Sequence, residues 1–279
     1  MSLAELPSLR DTLKKYELWP DKKLGQNFLL DQNITDKIAR LAGPLEPYTV
    51  IEVGPGPGGL TRSLLAAGAK KVIAIELDVR CLAALSELQQ AADGRLQVIS
   101  DDALKVHLPD LCEGPCKVVA NLPYNVATPL LIQWLRHIQS FDSLTLMFQK
   151  EVADRLMAAP RTSEYSRLSV MTQKCAYVGN LFDLSPEAFF PPPKVTSSVV
   201  QLKPKPESLS LEYFKAFELV VKVAFAQRRK MLRSNLRELG FEDLNEIFTS
   251  LAIQPTARAE ELSVSDYSAL TEAFMAKRA

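Results

Sequence analysis

The stretch "VIEVGPGPGGLT" at residues 50–61 decides the fold of this chain. Its beginning is apolar and β-branched apart from Glu52, as in a buried strand, and its end opens a helical pattern. Gly54, Gly56 and Gly59 form G-x-G-x-x-G between them, where glycine permits a tight turn and a close approach of the backbone to a nucleotide. The stretch therefore predicts a strand, a ligand-binding loop and a helix in succession.

Strand and helix patterns continue to alternate after this stretch. Short apolar runs predict buried strands at residues 49–53, 71–76, 96–99, 117–120 and 144–148. The segments between them have helical spacing, so we expect an α/β fold with a mostly parallel sheet and helices on both faces. Two later runs, at 174–184 and 197–202, are expected to pair as an antiparallel hairpin at one edge.

A domain boundary is predicted at "KPKPES" (203–208), where two prolines and several polar residues are typical of a linker. The pattern after it is helical to the end of the chain. We predict a first domain at 1–203, whose residues 1–24 form an N-terminal extension, and a small all-helical domain at 204–279.

Composition limits the kinds of partner. Among 279 residues, 33 Lys and Arg balance 33 Asp and Glu, so a nucleic-acid surface has to be a local patch. The N-terminus lacks the apolar segment of a signal peptide, and no run of about 18 apolar residues follows. The 4 cysteines and 2 histidines show no metal-ligand spacing. We therefore expect a cytoplasmic protein with reduced thiols, no metal and no membrane contact.

The glycine loop favours a nucleoside ligand that has no phosphate. Glu76 ends the next strand 22 residues beyond Gly54, the spacing at which an acid binds ribose hydroxyls. A nicotinamide dinucleotide is the alternative, but the two prolines of the loop have no N–H to donate to a pyrophosphate. S-adenosylmethionine has a ribose, no phosphate and a cationic sulfonium that Glu52 would favour. Asp102, after the third strand, could accept a hydrogen bond from its adenine.

"NLPY" at residues 121–124 follows the fourth strand, and in such a sheet the ligand lies beyond the carboxyl ends of the strands. The exocyclic amine of adenine is a weak nucleophile because its lone pair is delocalised into the ring. The Asn121 side-chain oxygen and the Leu122 carbonyl could accept its two hydrogens. Pro123 would fix that carbonyl through its restricted φ, and Tyr124 would stack on the base. The motif predicts methyl transfer to an adenine N6.

Together these motifs resemble the ribosomal RNA adenine N6-dimethyltransferase family, which acts on small-subunit rRNA. The resemblance runs from about residue 22 to residue 239 and includes "KKLGQNFLLD", "VIEVGPGPGGLT", "VIAIELD", "DDAL", "NLPYNVATPLL", "FQKEVADRL", "RLSVMTQ", "FFPPPKVTSSVV" and "AFAQRRKMLRSNL". It implies a Rossmann-like class I methyltransferase fold with a seven-stranded sheet, an antiparallel seventh strand and a small helical C-terminal domain. It also implies a monomer that dimethylates two adjacent adenines near the 3′ end of 16S rRNA in an immature ribosomal particle.

The resemblance also implies functional residues. The cofactor positions of the family fall here on Asn27, Leu29, Gly54, Glu76, Asp102 and Asn121, and Gly56 belongs to the same loop. Asn27 and Leu29 come from the resemblance alone. Phe189 matches a family aromatic that holds a flipped-out base, with Tyr124 on the other face. "APRTSEYSRLS" differs from the family, which more often has glycine after the proline.

A basic helix is predicted at residues 221–237 of the C-terminal domain. It contains no acid, and its basic residues are Lys222, Arg228, Arg229, Lys230, Arg233 and Arg237. At about 100° per residue, an apolar stripe that includes Phe225 and Leu232 leaves most of the basic side chains on one flank. Such a ridge would contact RNA phosphates.

Two further alternatives share this fold. One is a macrolide-resistance-type adenine methylase that acts on large-subunit rRNA, although "FFPPPKV" and "QRRK" look more like the small-subunit enzymes. The other is a non-catalytic ribosome-assembly or transcription factor. The intact "NLPY" and glycine loop favour an enzyme.

Overall fold

A computed structural model of the protein describes residues 2–241 and 243–277. The outermost residues of the two predicted domains, 1, 278 and 279, lie outside the described residues. The strands are β1 Phe28–Leu29, β2 Thr49–Val53, β3 Lys71–Glu76, β4 Leu96–Ser100, β5 Cys116–Asn121, β6 Ser143–Gln149, β7 Ala176–Leu184, β8 Phe189–Phe190 and β9 Ser197–Pro204. The α-helices are α1 Leu9–Lys15, α2 Gln32–Leu41, α3 Gly59–Ala66, α4 Leu82–Ala91, α5 Tyr124–Leu135, α6 Lys150–Met157, α7 Arg167–Cys175, α8 Leu211–Ala224, α9 Leu232–Leu236, α10 Leu244–Ser250 and α11 Val264–Ala276.

A seven-stranded sheet has the order β4-β3-β2-β5-β6-β9-β7. β2, β3, β4, β5 and β6 are parallel to one another, and β9 pairs antiparallel with β6. The predicted α/β fold with a mostly parallel sheet is therefore confirmed, and the five strands predicted before residue 150 occur within one residue of their predicted ends. β9 and β7 lie side by side at one edge, where the sequence placed its last two strands.

The central strands β2, β3, β5 and β6 are buried because β-branched and apolar side chains occupy both of their faces. All residues of β2 are buried, and α3 and α4 contact β3 and β4. β2, β3 and β5 are neighbours and parallel, so their carboxyl ends, Val53, Glu76 and Asn121, lie at one edge of the sheet. A separate two-stranded sheet pairs β1 with β8.

The described residues form two compact units. One contains the chain up to Ala153 together with Gly179–Pro204, and the other contains Asp154–Val178 and the chain from Lys205 onward. Within the second unit α7 contacts α8 and α11, which groups this earlier segment with the C-terminal helices. The sequence had placed Asp154–Val178 in the first domain and the boundary after residue 203.

The predicted continuous helix at 221–237 is wrong. α8 ends at Ala224, turns follow, and α9 begins only at Leu232. The buried side chain of Asn235 explains the break, because its Nδ2 donates to the carbonyl oxygens of Ala224 (2.7 Å) and Gln227 (3.3 Å). These bonds satisfy carbonyl groups that the end of a helix leaves without a partner.

The expectation of four reduced thiols is also wrong. Cys112 and Cys116 form a disulfide across the turn "CEGPC", whose ends lie 5.9 Å apart between Cα atoms, within the range that a disulfide spans. Cys81 and Cys175 are free and buried. Among the described residues, none of the helices combines the length and the apolar character that crossing a bilayer requires.

Candidate active site

A cavity opens beyond the carboxyl ends of β2, β3 and β5. This is the place where an open parallel sheet binds its ligand. The predicted cofactor and catalytic residues that line it are Asn27, Leu29, Gly54, Gly56, Glu76, Asp102, Asn121, Leu122, Pro123 and Tyr124. The structure therefore brings together residues that lie up to about a hundred positions apart in sequence.

The loop after β2 requires glycine at two positions. Gly54 and Gly56 have φ values of +70° and +54°, which L side chains rarely adopt. A Cβ on Gly56 would lie 2.9 Å from Cε1 of Phe28, and one on Gly54 would lie 3.4 Å from Cδ of Pro123. The missing side chain of Gly56 allows the loop to approach β1, whereas Gly54 is required by its positive φ.

Glu76 is 4% exposed at the end of β3. Its Oε2 accepts a hydrogen bond from the backbone N–H of Gly56 (2.8 Å) and its Oε1 accepts one from that of Asp78 (2.7 Å). Burial raises the pKa of this carboxyl group although both N–H donors oppose the shift. The two bonds fix the plane of the carboxylate, and each oxygen keeps a lone pair for a ribose hydroxyl.

A second acid, Glu52 of β2, lines the same cavity and is 1% exposed. Its Oε2 accepts a hydrogen bond from Oγ1 of Thr61 (2.6 Å) in α3. Burial raises the pKa of Glu52 to about 8; Thr61 lowers it, and the charge of Glu76 raises it further. Two acids in a partly apolar cavity favour a cationic ligand, since a cation relieves the repulsion between them.

The orientation of Asn121 is set by a residue of the N-terminal segment. Its Nδ2 donates to the backbone carbonyl of Asn27 (3.2 Å). A carbonyl oxygen only accepts, so the amide nitrogen must face Asn27. Within the described residues, Oδ1 is thus the atom of this side chain that remains for a ligand in the cavity.

The rest of "NLPY" is fixed on both sides. Pro123 precedes α5 with φ −58°, and Leu122 before it is 1% exposed. The Tyr124 hydroxyl shares a 2.5 Å hydrogen bond with Oγ of the buried Ser197 in β9, and burial raises the pKa of the phenol. Reasoning from the residues missed Ser197, and its only signal was its place in the block "FFPPPKVTSSVV".

Comparison with known proteins agrees with this geometry. Residues 20–276 match the family described as ribosomal RNA adenine dimethylase. The chain belongs to that family. The match confirms the family resemblance of the sequence motifs. It establishes that most of the chain has the fold of an adenine dimethylase and that the protein has adenine dimethylase activity.

Relatives of this dimethylase are similar along nearly their whole length. A protein named ribosomal RNA small subunit methyltransferase A from Rhodospirillum rubrum is 52% identical over 96% of this chain and 92% of its own. One of the same name from Xanthobacter autotrophicus is 53% identical over 98% and 96%.

Solved structures agree on the fold of the dimethylase. A dimethyladenosine transferase from Plasmodium falciparum has a TM-score of 0.76 at 28% identity, covering 89% of this chain and 97% of its own. The 23S rRNA methyltransferase ErmE has a TM-score of 0.66 at 25% identity, covering 89% and 100%.

Phe189 is the predicted site residue that the structure does not place in the cavity wall of the dimethylase. It is 4% exposed and belongs to the buried core beside Leu29, its register partner in β1. Its neighbour Phe190 is 37% exposed. The role of Phe189 in holding a base stays a prediction.

The predicted RNA-binding residues lie in the second unit of the dimethylase. The Arg228 guanidinium donates to the backbone carbonyls of Ser163 and Tyr165, so it stabilises the turn between α8 and α9. Arg229, Lys230 and Arg237 are exposed and Arg233 is half-buried. The basic side chains therefore lie on a turn and a short helix, and they do not form one flank of a long helix.

Proposed function

We propose that this protein transfers methyl groups from S-adenosylmethionine to N6 of two adjacent adenines near the 3′ end of small-subunit (16S) rRNA, within an immature ribosomal particle. The observation that carries the proposal is the orientation of Asn121, whose amide nitrogen is used by Asn27 and whose oxygen is left for a substrate amine. The names of relatives about half identical to this chain support the small subunit as the target.

The cavity fits S-adenosylmethionine by the chemistry of its wall. The paired Glu76 carboxylate would accept from the two ribose hydroxyls, and Asp102, beyond β4, would accept from the adenine amine. Asn27 and Leu29 of the N-terminal segment and Gly54 and Gly56 of the loop would complete the wall. When bound, the cofactor supplies an electrophilic methyl group on a cationic sulfur, whose charge Glu52 and Glu76 favour.

The protein's own contribution is to hold the adenine amine. Asn121 Oδ1 and the Leu122 carbonyl would accept one N6 hydrogen each, which favours a pyramidal nitrogen with a localised lone pair. Tyr124, whose hydroxyl hydrogen-bonds Ser197, would stack on the base and hold the amine in line for the methyl group. The proton released after transfer can pass to water, so no strong general base is required.

Basic residues of the second unit, three of them exposed and one half-buried, supply a surface for phosphates. Arg229, Lys230, Arg233 and Arg237 carry the proposed contact, and Arg228 positions the turn that presents them. Charge reversal of Arg229 and Arg233 should weaken binding to the ribosomal particle and make the affinity less dependent on salt. An unchanged salt dependence would remove this surface from the proposal.

The decisive experiment is methyl transfer to small ribosomal subunits that lack dimethyladenosine, read by mass spectrometry of the rRNA nucleosides. We expect dimethyladenosine with the wild-type protein and at most a trace with Asn121→Ala in the same reaction time. Large subunits in a parallel reaction test the macrolide-resistance alternative, which the 25% identity to ErmE supports less well. Binding to the particle with no methyl transfer would indicate the non-catalytic alternative.

The oligomeric state and the cellular location of the enzyme are further parts of this proposal. We propose that the enzyme acts as a monomer, as the family resemblance implies. Because the proposed substrate is an assembling ribosomal particle and the relatives named above are bacterial, we expect the enzyme to act in the cytoplasm of a bacterial cell.

A further inference from the structure

Two aromatic rings lie exposed beside each other on the first unit. Trp19 is 67% exposed and Phe190 is 37% exposed. Their ring centroids are 6.3 Å apart and their planes are tilted by 54°. The high exposed fraction of Trp19 leaves much of its indole ring accessible to a ligand. Large aromatic rings exposed together mark a binding surface more often than single exposed apolar residues do.

Each ring is linked to residues that line the cavity, Phe190 by strand pairing and Trp19 by a series of hydrogen bonds. Phe190 is in register with Phe28, which lines the cavity, and register partners in an antiparallel pair point to the same face with Cα atoms about 5 Å apart. The carbonyl of Trp19 accepts a hydrogen bond from Nη1 of Arg80 (3.4 Å). Arg80 also pairs with Asp78, whose N–H donates to Glu76.

We propose that Trp19 and Phe190 form a stacking platform for an unpaired base next to the target adenine. The proposal rests on the proposed function and names how that site holds its substrate. Single-stranded RNA is recognised by stacking of splayed bases on aromatic rings, and a flipped-out adenine leaves its neighbour unstacked. Exposed lysines, Lys23 and Lys194, follow the two rings by four residues each and suit the flanking phosphates.

The two tryptophans of the chain allow a direct test. Trp134 in α5 is 2% exposed, so Trp19 is the exposed fluorophore. Titration of the full chain with an oligoadenylate of about eight nucleotides should quench the exposed tryptophan emission. We expect the quenching to persist in Trp134→Phe and to disappear in Trp19→Phe.

Methylation kinetics test the role of the platform in catalysis. Trp19→Ala and Phe190→Ala should each raise KM for the undimethylated small subunit about fivefold to fiftyfold, with no change in the Kd for S-adenosylmethionine. Stacking carries no charge, so the salt dependence of binding should keep its slope. Trp19→Phe, which retains a ring, should bind more tightly than Trp19→Ala. Tyr177→Ala, at an aromatic residue 61% exposed outside the cavity wall, is the matched control.

Two results would overturn the platform. One is an unchanged KM in both alanine variants. The other is weaker binding of the variants to the particle together with no quenching by oligoadenylate. In that case the rings would contact a ribosomal protein and not RNA. If the wild type binds and is quenched but methylates no particle, the proposed function fails and the platform stands as an RNA-binding surface.

Discussion

The two ends of strand β5 carry polar side chains that are used in different ways. Near its start, Lys117 is 4% exposed; its Nζ donates to the Ala42 carbonyl (2.9 Å) and lies 4.3 Å from the ring centroid of Tyr48. Asp142 joins this group through Lys117 Nζ (3.5 Å) and the Tyr48 hydroxyl (3.0 Å). At the other end of the strand, Asn121 bonds Asn27 through its nitrogen and turns its oxygen to the cavity.

The difference lies in the hydrogen-bonding capacity that remains after folding. In the Lys117 group charge pairs with charge and donor with acceptor, so the buried ammonium group is satisfied within the protein and serves stability. The carboxyl edge keeps acceptors on Asn121, Glu76 and Glu52 in a partly buried cavity, a state that costs free energy until a ligand with donors or a positive charge binds. The hydrogen-bonding capacity that remains after folding therefore distinguishes the functional end of the sheet from the structural end.

The largest expected effect is at Asn121. Asn121→Ala removes the acceptor from the adenine amine, and we expect the rate of methyl transfer to fall about a hundredfold to a thousandfold or beyond detection. The side chain is only partly buried, so the thermal unfolding temperature should stay near that of the wild type. Single-turnover methylation measures the rate. Asn180→Ala, at an exposed asparagine of β7, is the control, and full activity in Asn121→Ala would refute the acceptor role.

Glu76 comes second. In Glu76→Gln one of the two backbone N–H donors, from Gly56 or Asp78, loses its acceptor and the negative charge is lost. We expect S-adenosylmethionine to bind about tenfold to a hundredfold more weakly by calorimetry. Glu87→Gln, at an acid that pairs with Lys15 outside the cavity wall, should leave the affinity unchanged. Equal affinities in the two variants would mean that Glu76 does not bind the ribose.

Much of this edge could be predicted from the sequence because its signals are local. A strand, a glycine loop and an acid at the next strand end place Gly54 and Glu76 without knowledge of distant contacts. The orientation of Asn121 could not be predicted, since it depends on the carbonyl of Asn27, 94 residues away in sequence. The tether from Tyr124 to Ser197 spans 73 residues and was missed for the same reason.

The basic helix shows the limit of periodicity. A helical wheel assumes an unbroken helix, but the bonds from Asn235 to the carbonyls of Ala224 and Gln227 end α8 early. Arg228 then turns back to the carbonyls of Ser163 and Tyr165, a contact that no local pattern indicates. Tertiary hydrogen bonds override a periodic pattern wherever they satisfy the backbone groups of an interrupted helix.

Lys117 tests the structural end of the strand. Lys117→Met keeps the length of the side chain but leaves the Ala42 carbonyl without its donor, and we expect the free energy of unfolding in urea to fall by about 1–3 kcal/mol. The affinity for S-adenosylmethionine should not change. Lys15→Met, which removes an exposed ion pair with Glu87, should have little effect on stability. Loss of cofactor binding in Lys117→Met would break the distinction between the two ends.

Among the cavity residues, Glu52 should give the smallest change in ligand affinity, and it connects pH to both stability and binding. The folded protein holds the Glu52 proton up to about pH 8, whereas an ordinary glutamate releases it near 4.5. The folded state thus binds more protons than the unfolded state between these values, so the stability of the ligand-free protein should fall as pH rises through this window. A cation in the cavity favours the ionised form, so S-adenosylmethionine should bind up to about tenfold more tightly at about pH 9 than at about pH 7.

Glu52→Gln separates this carboxyl group from the other groups that titrate. Glutamine can still accept from Thr61, but it has no proton to lose, so both pH dependences should flatten relative to the wild type. The comparison cancels the titration of the cofactor's own amine, which is the same for both proteins. S-adenosylhomocysteine, which lacks the sulfonium charge, should show a weaker rise in affinity with pH. If Glu52→Gln and the wild type show the same pH dependence, the titrating group is Glu76, whose pKa burial also raises.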